Sequence, residues 1–333
     1  MRIGLIGEDF CGKTEILKLL TKKEAALAPF KIYDERLENI ALFYKSKKIT
    51  YPQVEILEIQ KPKSKSEEAK FFDNIRKLNL IAYVIKAFDL EFNKKSLLLD
   101  FNSFISDILI LDEAILEKRI KRLEKEGKKD LEYKVLIKCM KFLEDEIPLN
   151  KISFDLHEQK ILSGFGLISL IPILVIINLD EKSKDEKEIL KLKKNLESRG
   201  IEYIEVFGKL ENEIEELPED EKEIFYNDLK IKENFKERFS KKIIKVLDLI
   251  TFFTANQEEA RAYLVKRGIT ALKAAGKVHS DFEKGFIKAE VIPYDILKNF
   301  KEESELKKSG KIKLEGKDYI LSDGDIIKFR FHI

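Results

Sequence analysis

The chain has 333 residues, of which 44% are hydrophobic. At roughly 100–200 residues per domain, this length predicts two or three domains with folded cores, and it excludes a wholly disordered chain. Lys and Arg number 63 and Asp and Glu number 61, so a net charge of +2 excludes a histone-like polycation but allows a local basic patch.

The few cysteines and the absence of a leader-like segment exclude several further classes. Cys11 and Cys139 are too few for a disulfide framework, and with three His residues they make a zinc site improbable. The first residues lack the apolar core of a signal peptide, so we expect a cytoplasmic protein. The longest apolar run, 161–177, contains Pro172 and falls short of the about 20 residues that a membrane span requires. It predicts a helix end followed by a core strand, and no membrane partner.

Strand and helix patterns alternate along the first part of the chain. The spacing of apolar residues predicts strands over 2–6, 54–59 and 80–87 and helices over 13–20 and 71–78, with a polar, mobile loop over 61–70. Alternation of this kind is typical of an α/β fold built on a parallel sheet. The sheet pattern resumes later with strands over 172–177 and 201–206 and helices over 181–198 and 221–246.

Between these two stretches lie two long, charged helical patterns separated by a polar turn near Gly127. Each carries an apolar stripe, which predicts an antiparallel helical arm over 106–159. After residue 249 the pattern changes to short strands over 287–292, 311–314, 319–321 and 326–331, separated by turns. This predicts a small mixed domain at the end of the chain.

The segment Gly7–Thr14 reads GEDFCGKT and matches the phosphate-loop pattern G-x-x-x-x-G-K-[ST] between a strand and a helix. Glycines let the loop backbone wrap an anion, and the following helix adds the positive end of its dipole. The lysine reaches the β- and γ-phosphates, while the hydroxyl is a ligand for Mg²⁺. The sequence therefore predicts a phosphate site made of Gly7, Phe10, Cys11, Gly12, Lys13 and Thr14.

The C-terminal third carries a long and specific resemblance. Residues 274–291 read AAGKVHSDFEKGFIKAEV, 316–325 read GKDYILSDGD, and 251–254 read TFFT. These runs, with the phosphate loop, resemble the YchF or Obg-like ATPases over nearly the whole chain. The resemblance implies a P-loop NTPase G-type domain with a mainly parallel sheet, an inserted antiparallel helical hairpin, and a C-terminal β-grasp domain of the ubiquitin-like TGS type. It divides the chain into a nucleotide-binding domain (1–105 and 160–248), the arm (106–159) and the TGS-like domain (249–333).

The same resemblance suggests how the base is chosen. Asn178, Leu179 and Glu181 fit the family's N-x-x-E motif, where GTPases have N-K-x-D. An Asp at the last position accepts both donors of the guanine edge, and a Glu spoils that geometry, so ATP is favoured over GTP. An alternative is that Asn178 simply caps the helix predicted over 181–198.

Two departures from the family concern hydrolysis. Where the family has D-x-x-G, this chain has Glu58 and Lys61, and the first switch loop looks deleted after residue 30. Switch loops respond to the γ-phosphate and Mg²⁺, so their loss leaves few ways to distinguish ATP from ADP. Glu58 could still hold Mg²⁺ through water, with Thr14, and Lys61 could contact phosphate. We expect slow or absent ATP hydrolysis, and no catalytic residue is identified.

Partners are suggested by charge and by the resemblance. A basic cluster on the arm could contact RNA, or it could be a solvated helix face paired with neighbouring glutamates; its residues are Lys118, Arg119, Lys121, Arg122, Lys125, Lys128 and Lys129. The resemblance implies contact with a ribosome or RNA, and we expect a monomer. The alternatives to a ribosome-associated ATP-binding protein are a non-hydrolysing RNA or ribosome adaptor, or a GTPase.

His279, Asp281 and Glu283 alternate as metal ligands can, but a polar turn explains them better.

Overall fold

The apolar runs of the sequence build two separate six-stranded sheets in the computed structural model, which describes residues 1–23, 25–88, 96–181, 187–229 and 231–332. The chain divides into two units. The first comprises Met1–Ala28 and Glu55–Phe235, and the second comprises Pro29–Val54 and Lys236–Ile333. The boundary therefore differs from the predicted division at residue 249.

The strands are numbered in chain order. They are β1 Arg2–Gly7, β2 Leu27–Lys31, β3 Lys48–Thr50, β4 Gln53–Glu58, β5 Leu80–Ala87, β6 Ile173–Leu179, β7 Glu202–Val206, β8 Leu249–Ala255, β9 Glu259–Lys266, β10 Phe286–Pro293, β11 Lys313–Glu315 and β12 Asp325–Phe331.

The helices are numbered in the same way. They are α1 Lys13–Thr21, α2 Glu35–Tyr44, α3 Lys65–Ile75, α4 Leu97–Lys125, α5 Leu131–Glu144, α6 Leu156–Leu162, α7 Lys187–Ser198, α8 Gly208–Glu215, α9 Glu219–Asp228, α10 Phe235–Val246, α11 Ala271–Val278, α12 Ser280–Lys284, α13 Tyr294–Leu297 and α14 Glu303–Lys308, with short 3₁₀ turns at Leu149–Lys151 and Ile168–Leu170. Among these described helices, none combines the length and the apolar composition that a membrane crossing requires.

The sheet of the first unit has the strand order β2-β4-β1-β5-β6-β7. Strands β4, β1, β5, β6 and β7 pair in parallel, so their carboxyl ends meet at one edge. Strands β5 and β6 are almost continuously apolar and buried, as expected for central strands covered on both faces. The predicted α/β fold with a mainly parallel sheet is confirmed.

The helical arm is built on α4 and α5, which pack together on either side of a turn at Gly127. Helix α4 begins at Leu97, nine residues before the predicted start of the arm, and the apolar residues of the arm belong to the same core as those of the sheet. Fully buried Asp112 accepts bonds from the backbone N–H groups of Ile168 and Ser169, at 3.0 and 2.7 Å. This side chain ties α4 to the segment that leads into β6.

The sheet of the second unit has the order β11-β10-β12-β8-β9-β3. Strands β8 and β9 form an antiparallel hairpin, α11 follows, and β12 lies beside β8 and parallel to it. This is the topology of a β-grasp fold, which the family resemblance implied for the C-terminal domain. Strand β3 pairs in parallel with β9 and extends the sheet at one end.

The segment Pro29–Val54 supplies this extra strand and also α2, which covers part of the second sheet. Leu37 and Ile40 of α2 are fully buried in one apolar cluster with Phe253 and Ile326. The Arg36 guanidinium bonds the carboxylates of Asp34 and Asp323. The sequence analysis assigned this segment to the first domain and noted that the first switch loop looks deleted there. In the structure, the segment belongs to the second unit.

Several predicted elements differ from those observed. Residues 65–70, predicted as a loop, form the first turns of α3, because they are good helix formers and Glu67 accepts a bond from the backbone N–H of Lys63 at the helix start. The helix predicted over 221–246 is divided into α9 and α10. The helix predicted over 181–198 is observed from Lys187, and residues 182–186 of that prediction lie outside the described part. Strands β8 and β9 were not predicted.

Candidate functional site

The predicted site residues follow three parallel strands of the first unit at the edge where their carboxyl ends meet. The phosphate loop follows β1, Glu58 ends β4, and Asn178 lies near the end of β6. In open α/β sheets, ligands bind in the crevice beyond this edge.

The loop backbone has the shape that an anion site requires. Gly12 has φ 92° and Phe10 has φ 59°, both in the left-handed region. A β-carbon on Gly12 would lie 2.2 Å from the Asn178 side-chain nitrogen, so only glycine fits there. Helix α1 begins immediately afterwards at Lys13 and directs its first N–H groups toward the loop. Phe10, held in a conformation unusual for a bulky residue, leaves its ring 90% exposed.

Lys13 is the buried cation of the loop, with 4% of its surface exposed. Its ammonium group donates to the carbonyl oxygens of Gly7 and Glu8, at 3.0 and 2.8 Å. The neighbouring thiol of Cys11 is fully buried, and burial raises its pKa to about 11, so it stays neutral at ordinary pH. The loop therefore carries one buried positive charge whose bonds to the backbone an anion can replace.

Thr14 and Glu58 bring oxygen atoms together on one side of the loop. The Thr14 hydroxyl donates to the two Glu58 carboxylate oxygens, at 3.0 and 3.2 Å, and the Gln60 amide donates to one of them at 2.6 Å. A hydroxyl and a carboxylate in contact are the hard oxygen ligands that Mg²⁺ takes in combination with phosphate and water. This pair therefore fits a magnesium ion. No cluster of three or more acidic, His or Cys ligands occurs within the described residues.

Glu8 places a carboxylate in the loop itself, where it opposes the binding of an anion. Lys61 neutralises it, because the Lys61 ammonium lies 2.6 and 2.8 Å from the two Glu8 carboxylate oxygens. The resemblance of the sequence predicted that Lys61 replaces the glycine of a D-x-x-G motif. The structure thus gives this lysine a partner in the loop that the sequence did not indicate.

Asn178 joins two segments of the site. Its side-chain nitrogen donates to the carbonyl oxygen of Cys11, and its side-chain oxygen accepts from the backbone N–H of Gly208, both at 3.0 Å. The side chain is buried, with 4% exposed. Each end of the amide bonds a group outside the segment that follows β6, and the helix that follows is observed from Lys187.

The sequence analysis missed the segment after β7. A β-carbon on Gly208 would lie 2.8 Å from the Asn178 side-chain oxygen, so this position also requires glycine. The Asn212 amide donates to the carbonyl oxygens of Gly208 and Glu15, at 2.8 Å each, and thereby links α8 to α1. A glycine directly after a parallel strand and at the start of a helix was the signal available in the sequence.

The remaining residues of the predicted base motif lie in different surroundings. Leu179 is 4% exposed and belongs to the apolar core, so its side chain packs inward. Glu181 is exposed at the end of the described segment that follows β6. Asn178 is thus the member of this motif whose side chain contacts the phosphate loop.

The basic cluster of the arm is largely paired with carboxylates. Arg119 bonds both oxygens of Glu132, and Lys121 pairs with Glu117. Hydrogen bonds from Lys128 and Arg122 lower the pKa of Glu126 to about 2. Within the part of the chain that the structure describes, three members of the cluster have no carboxylate partner: Lys118, Lys125 and Lys129.

The alternating residues after α11 form a polar turn. The His279 ring nitrogen accepts from the backbone N–H of Asp281 at 3.2 Å, and Glu283 pairs with Lys273 at 2.7 Å. The same His279 nitrogen lies 3.4 Å from an Asp281 carboxylate oxygen, whereas Glu283 faces Lys273, and the structure supports the polar turn over the metal site.

Comparisons with known proteins agree with this architecture. Residues 249–332 match the model of the YchF GTPase C-terminal family, described as a protein of unknown function (DUF933). The ribosome-binding ATPase YchF of Buchnera aphidicola is 33% identical over 359 aligned positions, which cover 100% of this chain and 99% of the relative. The protein of the same name from Bacillus subtilis is 31% identical, with 99% of each chain covered. The solved structure of the Schizosaccharomyces pombe YchF GTPase superimposes with a TM-score of 0.88 at 24% identity, over 99% of this chain and 97% of that one.

Proposed function

Since this chain belongs to the YchF family, we propose that it binds ATP with Mg²⁺ in the phosphate loop, associates with ribosomes, and hydrolyses ATP slowly or not at all. The observation that carries the nucleotide proposal is the loop itself. Lys13 is buried and donates to backbone carbonyl oxygens of the loop, and the Asn178 amide bonds the Cys11 carbonyl oxygen beside the turn at Gly12. These groups suit a bound polyphosphate, because each N–H or ammonium donor can exchange a backbone acceptor for a phosphate oxygen.

Each protein group in this proposal has a separate task. Lys13 neutralises charge on the β- and γ-phosphates, and the first N–H groups of α1 bind their oxygens. Thr14 and Glu58 would hold Mg²⁺, which supplies further positive charge at the phosphates when it is bound. Asn178 keeps the loop at a fixed position for the nucleotide, and Glu181 would favour adenine over guanine.

Slow hydrolysis follows from the surroundings of Glu58. The amide of Gln60, two residues further along the chain, donates to the Glu58 carboxylate at 2.6 Å. A Gln60 side chain that is bonded to Glu58 is not directed at an attacking water. Together with the departure from D-x-x-G at Lys61, this supports nucleotide binding with little turnover, since catalysis needs a group that orients the water.

Ribosome association rests on the relatives, whose names describe them as ribosome-binding ATPases. In this chain the three lysines of the arm cluster without a carboxylate partner are the charges available for phosphate backbone. Pelleting of the protein with purified ribosomes, with ATP or ADP present, tests this part. A variant with Lys118, Lys125 and Lys129 changed to Gln should pellet less. Equal pelleting of this variant would place the contact elsewhere, and no pelleting of the wild type would remove the ribosome from the proposal.

The first test is a titration of nucleotide-free protein with fluorescent ATP, ADP, GTP and GDP, with and without Mg²⁺. We expect Lys13→Ala to weaken binding by about a hundredfold, because it removes a buried charge that contacts phosphate. Lys18→Ala changes a lysine on the same helix, half-exposed and paired with Glu216, and should bind as the wild type does.

Three outcomes distinguish the candidates. Adenine nucleotides binding more tightly than guanine nucleotides supports the proposal, and the reverse order supports a GTPase. No binding of any nucleotide leaves a ribosome or RNA adaptor, and equal binding by Lys13→Ala would place the nucleotide outside the phosphate loop. Phosphate release in a single-turnover assay then separates slow hydrolysis from none.

A further inference from the structure

Two lysines approach the same residue of the phosphate loop. The Lys13 ammonium donates to the Glu8 carbonyl oxygen at 2.8 Å, and the Lys61 ammonium lies 2.6 and 2.8 Å from the Glu8 carboxylate oxygens. The two positive charges therefore contact the backbone and the side chain of one residue. A phosphate that Lys13 binds would lie within reach of the flexible Lys61 side chain.

The ion pair between Glu8 and Lys61 is open to solvent. The Lys61 side chain is 47% exposed and that of Glu8 is 36% exposed. Exposed pairs of this kind contribute little to stability, because water and side-chain entropy compete with the contact. Lys61 is therefore held weakly and can change its partner.

A bound triphosphate changes the balance of charge at this position. Its terminal phosphate brings close to two negative charges into a loop that already contains the Glu8 carboxylate, and the two anions repel each other. Lys61 contacts the Glu8 carboxylate and lies within reach of such a phosphate. Because the phosphate carries more charge than the carboxylate and offers three acceptor oxygens, it is the stronger partner.

We propose that Lys61 leaves Glu8 and binds the terminal phosphate when a nucleoside triphosphate occupies the loop, and stays with Glu8 when a diphosphate does. The inference rests on the proposed nucleotide binding. It gives the chain a means of distinguishing the two states through the side chain of a single lysine.

The structure also offers room and a connection for this exchange. Glu8, Lys61 and Pro62 line a cavity of about 480 Å³ between the phosphate loop and helices α3 and α4. Pro62 follows Lys61 directly, and α3 begins at Lys65. A movement of Lys61 is therefore transmitted to the start of α3 through a short segment, in which the proline restricts the backbone conformation. In this scheme α3 is the element that responds to the terminal phosphate.

The experiment compares the affinities of three variants for ADP and for the β,γ-imido analogue of ATP, which keeps its terminal phosphate during a titration. Lys61→Gln should bind the analogue about tenfold more weakly and ADP nearly unchanged, because a charge-assisted bond to the terminal phosphate is lost. Glu8→Gln should bind the analogue several-fold more tightly, because the competing carboxylate is gone. Lys63→Gln alters an exposed lysine of the same segment and should match the wild type for both ligands.

Hydrogen exchange of residues 61–75 provides a second measurement. In the wild type, exchange should differ between the analogue and ADP, and in Lys61→Gln this difference should disappear. If Lys61→Gln changes both affinities equally, or the difference in exchange persists, Lys61 is only a surface partner of Glu8 and the inference is wrong, while nucleotide binding stands. If the wild type binds neither nucleotide, the proposed function fails and the inference fails with it.

Discussion

The two sides of the phosphate loop are held by different kinds of interaction. On one side, the buried amide of Asn178 bonds Cys11 and Gly208, and neither glycine nearby could carry a β-carbon. On the other side, Glu8 and Lys61 form an ion pair open to solvent.

This difference separates the fixed part of the site from the part that can change. A buried polar group has no water to replace a lost partner, so its geometry is strongly determined. An exposed ion pair exchanges partners at little cost in free energy. We therefore expect substitutions at Asn178 to act on the stability of the fold, and substitutions at Lys61 to act on the choice of ligand.

The largest expected effect is that of Asn178→Ala. It leaves the Cys11 carbonyl and the Gly208 N–H buried without their partner, which should lower the free energy of unfolding by about 2–4 kcal/mol and weaken nucleotide binding. Urea unfolding followed by circular dichroism measures the first effect. Asn74→Ala, in the same unit, removes an amide with no hydrogen bond to a described residue, and should have a much smaller effect. An equal decrease in the free energy of unfolding in the two variants would show that the hydrogen bonds of Asn178 do not stabilise the fold.

A smaller effect should appear at alkaline pH through Cys11. Its burial raises the pKa to about 11, whereas in the unfolded chain a thiol titrates near its usual value of about 8.5–9. Between these values the unfolded state loses the proton that the folded state keeps, so stability falls as the pH rises. The loss due to this thiol should be about 1.5 kcal/mol at pH 10.

The measurement is the free energy of unfolding of the wild type and of Cys11→Ala at pH 8 and pH 10. The wild type should lose more stability over this interval than the variant does. Cys139 is also buried, with its pKa raised to about 11, and Cys139→Ala should keep the dependence that is due to Cys11. An identical change with pH in the wild type and in Cys11→Ala would mean that the Cys11 thiol reaches solvent before the chain unfolds.

The sequence predicted the parts of the site that depend on local pattern. The phosphate loop, β1, α1 and β5 were found within a residue or two, because a motif or a continuous apolar run marks each of them. The pairing of Lys61 with Glu8 was not foreseen, since the two residues are far apart in sequence and the phosphate-loop pattern does not specify the residue at position 8. The partners of Asn178 were hidden for the same reason.

The assignment of Pro29–Val54 could not come from local pattern either. The segment follows α1, so the sequence analysis assigned it to the first domain. Its helix α2 packs on Phe253, and its strand β3 pairs with β9, which are contacts between residues more than two hundred positions apart. The apolar run of β8 gave no alternation with which to distinguish strand from buried helix, and it was missed.

The smallest expected effect tests the exposed side of the loop. Glu8→Gln and Lys61→Gln should each change the free energy of unfolding by less than about 1 kcal/mol, and the coupling energy in a double-mutant cycle should be about 0.5 kcal/mol or less. The coupling should decrease further in high salt, because solvent ions screen an exposed pair. A coupling well above 1 kcal/mol that salt does not reduce would make the pair a fixed support of the loop. Lys61 could then not change partners at low cost, and the contrast between the two sides of the loop would not hold.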